Sequence, residues 1–188
     1  MLKRILMFIF AIFFVTGVAY AAAPAEVPKT GQTASQATGD DGDLEKGVAW
    51  PSPRFVVSAD CVTDNLTGLM WAKTPESESK TWTSALAFAD SLSLCNYSDW
   101  RLPNLNELES LVHAGKSDTA AWLNDQGFVS VDSTPYYWTS TTYAGSGDPA
   151  CGGSVCAWYV NMPDGYLGFA VKEDTGFTGF AWAVRSGQ

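Results

Sequence analysis

Basic residues and histidine are scarce in this sequence. Of its 188 residues, 11 are Lys or Arg and one is His, against 20 Asp or Glu, which gives a net charge of −9. The basic residues are scattered, and none forms a run interleaved with aromatic residues. Proteins that bind nucleic acids or sulfated glycans need clustered positive charge. The composition therefore excludes nucleic acid as a partner and disfavours sulfated glycosaminoglycans.

Signatures of catalysis are also missing. In a serine hydrolase the single histidine, His113, would lie beside an activated serine, yet the sequence has no Gly-x-Ser-x-Gly motif. We interpret His113 as structural, because it falls near the end of a predicted helix, where it can interact with the helix dipole. No catalytic residue is predicted. A glycosidase stays an open alternative, since two carboxylates can converge from distant parts of a fold.

The amino terminus has the features of a signal peptide. Lys3 and Arg4 precede an apolar run from Ile5 to Val18, and Ala19-Tyr20-Ala21 fits the small-x-small rule for cleavage. We predict a signal peptide over residues 1–21 and an exported protein, in the periplasm, at the outer surface or secreted. Removing this segment takes away two positive charges and lowers the net charge to −11. The alternative is an uncleaved segment that anchors the chain in the membrane.

No metal or cofactor site is predicted. The four cysteines lack the close C-x-x-C spacing of zinc sites, and the acidic run at residues 40–43 lacks the ligand spacing of a calcium loop. Four cysteines in an exported protein are expected to pair, and three pairings are possible. Cys151 and Cys156 flank a short glycine-rich loop. We predict a bridge between them, which leaves Cys61 to pair with Cys95.

Composition divides the rest of the chain in two. Residues 22–54 are rich in Ala, Pro, Thr, Gly and Asp, with Trp50 as the one aromatic residue. Such a segment cannot bury enough apolar area to offset its ordering entropy, so it predicts a disordered tether. Residues 55–188 have the size of a single domain. We expect most of its seven tryptophans to lie in the core: Trp71, Trp82, Trp100, Trp122, Trp138, Trp158 and Trp182.

The domain has mixed secondary structure. Apolar residues at helical spacing from Trp82 to Leu92 predict a first helix. Two helices and a run of antiparallel strands then predict an α+β fold, with the helices packed on antiparallel sheets. β-Branched and aromatic runs predict strands at Phe55–Val57, Val62–Thr63, Leu69–Ala72, Tyr136–Tyr143, Ala157–Met162, Tyr166–Val171 and Phe180–Arg185.

A Trp-Arg-Leu-Pro turn at residues 100–103 leads into the second helix. Asn104 can cap this helix, and Glu107 follows three residues later as its capping-box partner. Apolar residues continue at helical spacing, and we expect the helix to end near Gly115. The Arg101 guanidinium lies between two apolar residues and is expected to be partly buried. Burial requires a carboxylate or carbonyl oxygens as acceptors.

Four segments, in order along the chain, together resemble one known family: Cys61–Trp71, Asp99–Pro103, Tyr137–Thr141 and Ala157–Val160. They resemble the domain at the C-terminus of the Legionella collagen-like adhesin, known chiefly as a domain of unknown function. The closing segment lacks the cysteine of the family's Arg-Cys-Val-Arg pattern, and no collagen-like repeat precedes the domain. The resemblance identifies as structural motif residues Trp71, Trp100, Arg101, Leu102, Pro103, Trp138, Trp158 and Arg185.

The resemblance implies a fold similar to that of C-type lectins, and the Trp-Arg-Leu-Pro turn is similar to one in the formylglycine-generating enzymes. The resemblance implies neither the calcium-dependent binding of the lectins nor the oxidase-like reaction of those enzymes. The calcium-binding triplets of the lectins are replaced by Leu102-Pro103-Asn104 and by Trp122-Leu123-Asn124-Asp125. The oxidase-like chemistry needs reactive cysteines, whereas all four cysteines here are assigned to structural bridges.

We therefore expect an exported binding or adhesion module of the bacterial cell envelope, with a glycan or a surface protein as its ligand. The alternatives are a periplasmic enzyme that acts on glycans and a structural subunit of a surface assembly. The candidate binding residues are Tyr137, Tyr143 and Tyr166, near loops rich in Gly, Ser and Asp. Adjacent residues of a strand point to opposite sides. A buried Trp138 would thus leave Tyr137 exposed and Tyr136 on the buried side.

Overall fold

The computed structural model describes residues 27–133, 136–145, 147–151 and 155–187. The predicted signal peptide, residues 1–21, lies outside them. In the described part of the chain, two antiparallel sheets pack with short α-helices, which confirms the predicted α+β class. No helix among these residues has the length and apolar character needed to cross a membrane.

The first sheet has four strands in the order β1-β2-β3-β7. Three of them follow one another in sequence as predicted, and the fourth comes from the end of the chain. Asp64 stabilises the turn after β2, because its carboxylate accepts hydrogen bonds from the Leu66 amide and the Thr67 hydroxyl. The strands are β1 (Phe55–Ser58), β2 (Cys61–Asp64), β3 (Leu69–Ala72) and β7 (Val184–Ser186).

The second sheet has three consecutive strands, β4 (Tyr136–Thr142), β5 (Cys156–Asn161) and β6 (Tyr166–Val171). These match the predicted strands to within a residue or two. The last predicted strand, Phe180–Arg185, is regular only from Val184 onward. Its first residue instead forms an isolated bridge with Tyr137 of the second sheet. The chain crosses from one sheet to the other here, so a single regular strand cannot form.

The helices are α1 (Asp41–Leu44), α2 (Trp82–Asp90), α3 (Leu105–Glu109) and α4 (Thr119–Asp125). Helix α2 buries Ala85 and Ala89, as the predicted spacing requires. The sequence predicts only two of these four helices, since α1 and α4 were not anticipated. Helix α4 has a recognisable start, since the Asp118 side chain accepts a hydrogen bond from the Ala121 amide.

Helix α3 begins with the predicted capping box. The Asn104 side chain accepts a hydrogen bond from the Glu107 amide, and the Glu107 carboxylate accepts one from the Asn104 amide. The helix ends at Glu109 rather than near Gly115, which corrects the prediction. The Ser110 carbonyl accepts a hydrogen bond from the Arg54 guanidinium at 2.6 Å. This long-range bond satisfies a carbonyl that no further helical turn satisfies.

Large rings fill the space between the sheets. Trp71, Trp100, Trp138 and Trp182 are fully buried, and the other predicted core tryptophans are half-buried. Trp182 lies at the centre, with its ring centroid 5.6 Å from that of Trp71 and 5.5 Å from that of Tyr137. Its indole nitrogen donates a hydrogen bond to the Ala72 carbonyl at 2.7 Å. The Trp182 ring is therefore buried without leaving its indole N–H unpaired.

The segment from residue 27 to 53 is ordered against the domain, which corrects the predicted tether for these residues. Pro28 and Val48 form a parallel bridge, and helix α1 lies between them in sequence. Trp50 packs its ring 5.7 Å from that of Trp122. Composition alone underestimates this segment, because one large aromatic ring supplies the burial that many small residues cannot.

The Trp-Arg-Leu-Pro turn is buried except for its arginine. Arg101 donates to both carboxylate oxygens of Glu107 at 2.7 Å, but its side chain is 43 % exposed, more than expected. Burial of Glu107 opposes its ionisation. The hydrogen bonds from Arg101 and from the Asn104 amide outweigh burial and lower the pKa of Glu107.

Two other arginines are the buried ones. Arg54 pairs with Asp64 at 3.1 Å, and the side chains are 4 % and 0 % exposed. The motif residue Arg185 lies over the Tyr97 ring and donates to Asp99 at 2.7 Å. Because both guanidinium groups are withdrawn from solvent, each depends on its carboxylate partner.

The cysteines pair as predicted. Cys61 bonds to Cys95 across 34 residues, with a Cα–Cα distance of 6.5 Å, and Cys151 bonds to Cys156 across five. The long bridge joins the start of β2 to the loop after α2. A loop of this length restricts the unfolded chain and contributes about 3 to 4 kcal/mol.

Replacing Arg54 with methionine should lower the free energy of unfolding by about 3 to 5 kcal/mol, because Asp64 would stay buried without its counter-charge. The matched change Arg101→Met should cost about 1 kcal/mol or less, since exposed ion pairs contribute little. Urea denaturation of the two variants measures the difference. Equal losses would contradict the structural roles assigned to these arginines.

Candidate functional site

The candidate site lies on one face of the three-stranded sheet. Tyr136 of β4 pairs with Asn161 of β5, which pairs in turn with Tyr166 of β6. Paired residues in neighbouring antiparallel strands share a face of the sheet. The register therefore places two tyrosines on either side of an asparagine. A tight turn between Asn161 and Tyr166 fixes this alignment, because the Gly165 amide donates to the Asn161 carbonyl.

Aromatic rings extend this row into a surface. Tyr159, two residues before Asn161, lies on the same face, with its ring centroid 4.6 Å from that of Tyr136. Phe177 stacks on Tyr136 at 5.2 Å with 20° between the ring planes. We call the surface formed by Tyr136, Tyr159, Asn161, Tyr166 and Phe177 the tyrosine face.

Glycine 168 admits the Tyr159 ring. A Cβ atom on Gly168 would lie 2.3 Å from Cζ of Tyr159, which is closer than any real contact. The ring therefore lies flat against the backbone of β6. Any side chain at residue 168 would displace Tyr159 and break up the tyrosine face.

The tyrosine face carries hydrogen-bonding groups as well as rings. The Asn161 Oδ1 atom is buried and has no hydrogen-bond partner among the described residues. An acceptor left unpaired in this way costs free energy unless a ligand or water donates to it. Burial, together with the nearby Tyr136 and Tyr166, raises the pKa of Tyr159. Its hydroxyl therefore stays protonated and can donate a hydrogen bond at neutral pH.

The predicted binding tyrosines do not come together. Tyr166 lies on the tyrosine face and is 60 % exposed. Tyr143 lies on the opposite face, where its ring stacks on Phe169 at a centroid distance of 3.9 Å. The motif residue Trp158 also packs there, 5.2 Å from Tyr143. Sequence alone groups these tyrosines by loop composition, whereas the sheet separates them.

Tyr137 is buried, which corrects the prediction that it faces outward. Both faces of the sheet are covered at this point, so alternation does not expose either Tyr137 or Trp138. Tyr137 packs on Trp182, and its hydroxyl accepts a hydrogen bond from the Asp132 amide at 2.9 Å. Burial raises the pKa of Tyr137 to about 12. Tyr136, expected on the buried side, is half-exposed.

Sequence reasoning missed Tyr159, Asn161 and Phe177. A signal for Asn161 was present, since the Pro-Asp-Gly turn at residues 163–165 fixes which residues of β5 and β6 face each other. Phe177 gave no signal, because it reaches the sheet from a loop. Among the residues that the structure describes, no group of three His, Cys, Asp or Glu side chains could hold a metal ion.

Comparison with known proteins identifies one family. The sequence model of the Lcl C-terminal domain matches residues 60–185, which is more than half of the chain. The match includes both sheets from β2 onward and leaves out the segment that carries Trp50. No curated protein matches the chain.

Substituting Tyr137 with alanine should unfold the domain readily, lowering the free energy of unfolding by about 3 to 5 kcal/mol, because a core ring is lost. Tyr166→Ala should change it by less than about 0.5 kcal/mol, since that ring is mostly in solvent. Thermal and urea unfolding of both variants make the comparison. A stable Tyr137→Ala variant would contradict the buried position.

Proposed function

This chain belongs to the Lcl C-terminal domain family, and we propose that it is an exported adhesion module that binds uncharged carbohydrate on its tyrosine face. The family is adhesin-related, which gives the class of function. The choice of carbohydrate rests on the chemistry of the exposed residues. The proposal also covers a carbohydrate carried on another surface protein, because the contacts would be the same.

The observation that carries the proposal is the Asn161 Oδ1 between Tyr136 and Tyr166, which has no hydrogen-bond partner in the described part of the chain. A sugar ring has apolar C–H faces and donor hydroxyls, so it pairs well with a surface of rings and acceptors. Tyr166 is 60 % exposed, and an exposed ring changes rotamer within nanoseconds. The neighbouring exposed ring can therefore adjust its position while a sugar hydroxyl donates to Asn161.

Charge supports an uncharged ligand. The net charge is −9, and Arg54, Arg101 and Arg185 are bonded to Asp64, Glu107 and Asp99. These guanidinium groups stabilise the fold, so they are not available to a sulfate. A polyanionic glycan would also be repelled by the protein as a whole.

Export fits the proposal. The two cysteine pairs lie at disulfide distance, and disulfides persist in oxidising compartments. The adhesin-related family is compatible with the same location. A module at the cell envelope would meet carbohydrate on neighbouring cells or surfaces.

A glycan array probed with the mature chain, with and without EDTA, tests the proposal. We expect neutral glycans to bind in both conditions, because recognition through rings and an amide needs no metal ion. Binding lost in EDTA would indicate a calcium lectin. Bound glycans released as shorter products would indicate the alternative of a glycan-acting enzyme, and an empty array would favour a structural subunit.

Two matched variants locate the site. Tyr166→Ala should raise the dissociation constant of an array-selected glycan by about fivefold, because one stacking ring contributes on the order of 1 kcal/mol. Tyr143→Ala should leave it unchanged, since Tyr143 lies on the opposite face of the sheet. Isothermal titration calorimetry measures both. The reverse result would place the site around Tyr143 and Trp158.

A further inference from the structure

A segment outside the matched family region is docked on the domain. We call residues 27–50 the strap. The Thr30 carbonyl accepts a hydrogen bond from the Ala114 amide at 3.0 Å. The Trp50 indole nitrogen donates to the Lys29 carbonyl at 2.8 Å, so the two ends of the strap are held together. The strap thus forms a closed loop seated on the chain between α3 and α4.

The strap closes around His113. The ring centroids of Trp50 and His113 are 4.9 Å apart, and Trp122 approaches the same imidazole from within the domain at 4.7 Å. Gly31 lies against the ring, and a Cβ at this position would be 2.6 Å from Cε1 of His113. Gly31 also has a φ of +86°, which favours glycine. Both ends of the strap therefore touch one imidazole.

The imidazole is held in its neutral form by geometry. Nδ1 of His113 accepts a hydrogen bond from the Gly115 amide at 3.1 Å. An acceptor nitrogen carries no proton, so the proton of the neutral ring is on Nε2. Protonation places a hydrogen on Nδ1 and turns the Gly115 contact into a repulsion between two donors. The hydrogen bond that positions the ring is lost in that step.

The charges around His113 act in the same direction. Burial is the main cause that lowers the pKa of His113, and the positive charges of Lys116 and Arg54 lower it further. Arg54 lies with its guanidinium carbon 4.3 Å from the centroid of the Trp50 ring. Its charge is paired with the buried carboxylate of Asp64, the last residue of β2.

The remaining charged groups near this site are engaged elsewhere. On the strap, Lys29 pairs with Glu45, and Asp41 accepts a hydrogen bond from the Thr30 hydroxyl. On the domain, Asp118 accepts from the Ala121 amide and the Ser133 hydroxyl at the start of α4. Glu109 lines the groove beside the strap. None of these carboxylates accepts a hydrogen bond from the imidazole in the described structure.

We propose that the strap is a proton-sensitive latch: it docks while His113 is neutral and is released when His113 takes up a proton. The docked state binds the proton more weakly than the released state, because the pKa of His113 is lowered chiefly by burial and release removes the part of that burial that the strap supplies. The ordinary pKa of histidine is 6.5. Docking is therefore strongest above that pH and weakens as the pH falls through it. Each pKa unit between the two states changes the docking equilibrium by tenfold.

Release changes the reach of the module. The strap has its ends held together when docked, but its 24 residues could span roughly 80 Å when fully extended. Release also uncovers the ring of Trp122, which Trp50 covers in the docked state. An acidic surrounding would thus extend the domain away from the preceding chain. This device is independent of what the tyrosine face binds.

The test follows the indole N–H signal of Trp50 by ¹⁵N NMR in the mature chain, from pH 8 to pH 5. We expect the signal to move to the position of a free indole, with most of the change below pH 6.5, while sheet amides stay in place. Trp50→Phe assigns the signal. A Trp50 signal that does not move down to pH 5 overturns the proposal.

The variant His113→Gln keeps an acceptor for the Gly115 amide but cannot take up a proton. We expect its strap to stay docked throughout the titration. The same transition in this variant as in the natural protein overturns the proposal.

If the strap of the His113→Gln variant is released at every pH, the same titration of the Lys116→Met variant tests the proposal. Without this positive neighbour His113 accepts a proton more easily, and the gain is larger in the docked state, where the strap keeps water from screening the charge of Lys116. We expect a smaller loss of docking between pH 8 and pH 5 than in the natural protein. An equal loss overturns the proposal.

Discussion

The segment from Phe180 to Ser186 joins the two sheets, and the rest of the structure depends on it. Phe180 exchanges backbone hydrogen bonds with Tyr136 and Trp138 of the second sheet. Two residues later Trp182 fills the core and donates to Ala72, 110 residues away in sequence. Closing so long a loop costs conformational entropy. Burial of the large rings around Trp182 offsets that cost, since apolar burial is the main driving force of folding.

The same segment explains where the charged side chains lie. Val184 pairs with Trp71 on one side and exchanges backbone hydrogen bonds with Arg101 on the other. Arg185 then enters a site made by Tyr97 and Asp99. The arginines that look scattered in sequence are therefore used to join distant elements. The protein is left with a negative surface, which limits the ligands that the module can attract.

Two aromatic surfaces of different character result. The tyrosine face lies on a regular sheet whose register is fixed by a tight turn, and it combines rings with an acceptor that no described residue pairs. The strap surface depends on one imidazole between two indoles and is closed by a segment outside the family region. The first surface is suited to a ligand, because the register of the sheet fixes the backbone positions of its residues. The second is suited to a change of state, because a single proton alters it.

The local features could be predicted from the sequence alone. Turn residues, alternation and the Asn104–Glu107 capping box located the strands and the start of α3, since these depend on neighbours a few positions apart. The spacing of the cysteines led to the correct pairing. The family could also be identified, because its motifs are contiguous.

The end of α3, the burial of Tyr137 and the composition of the tyrosine face depend on long-range packing. Helix α3 ends just before Ser110, whose carbonyl accepts a hydrogen bond from Arg54, 56 residues earlier in the sequence. Tyr137 is buried because the sheet is covered on both sides, and Phe177 reaches Tyr136 from a distant loop. The docking of Trp50 on His113 is likewise invisible in a composition that predicts a tether. Each of these depends on contacts between residues far apart in sequence, which local patterns do not encode.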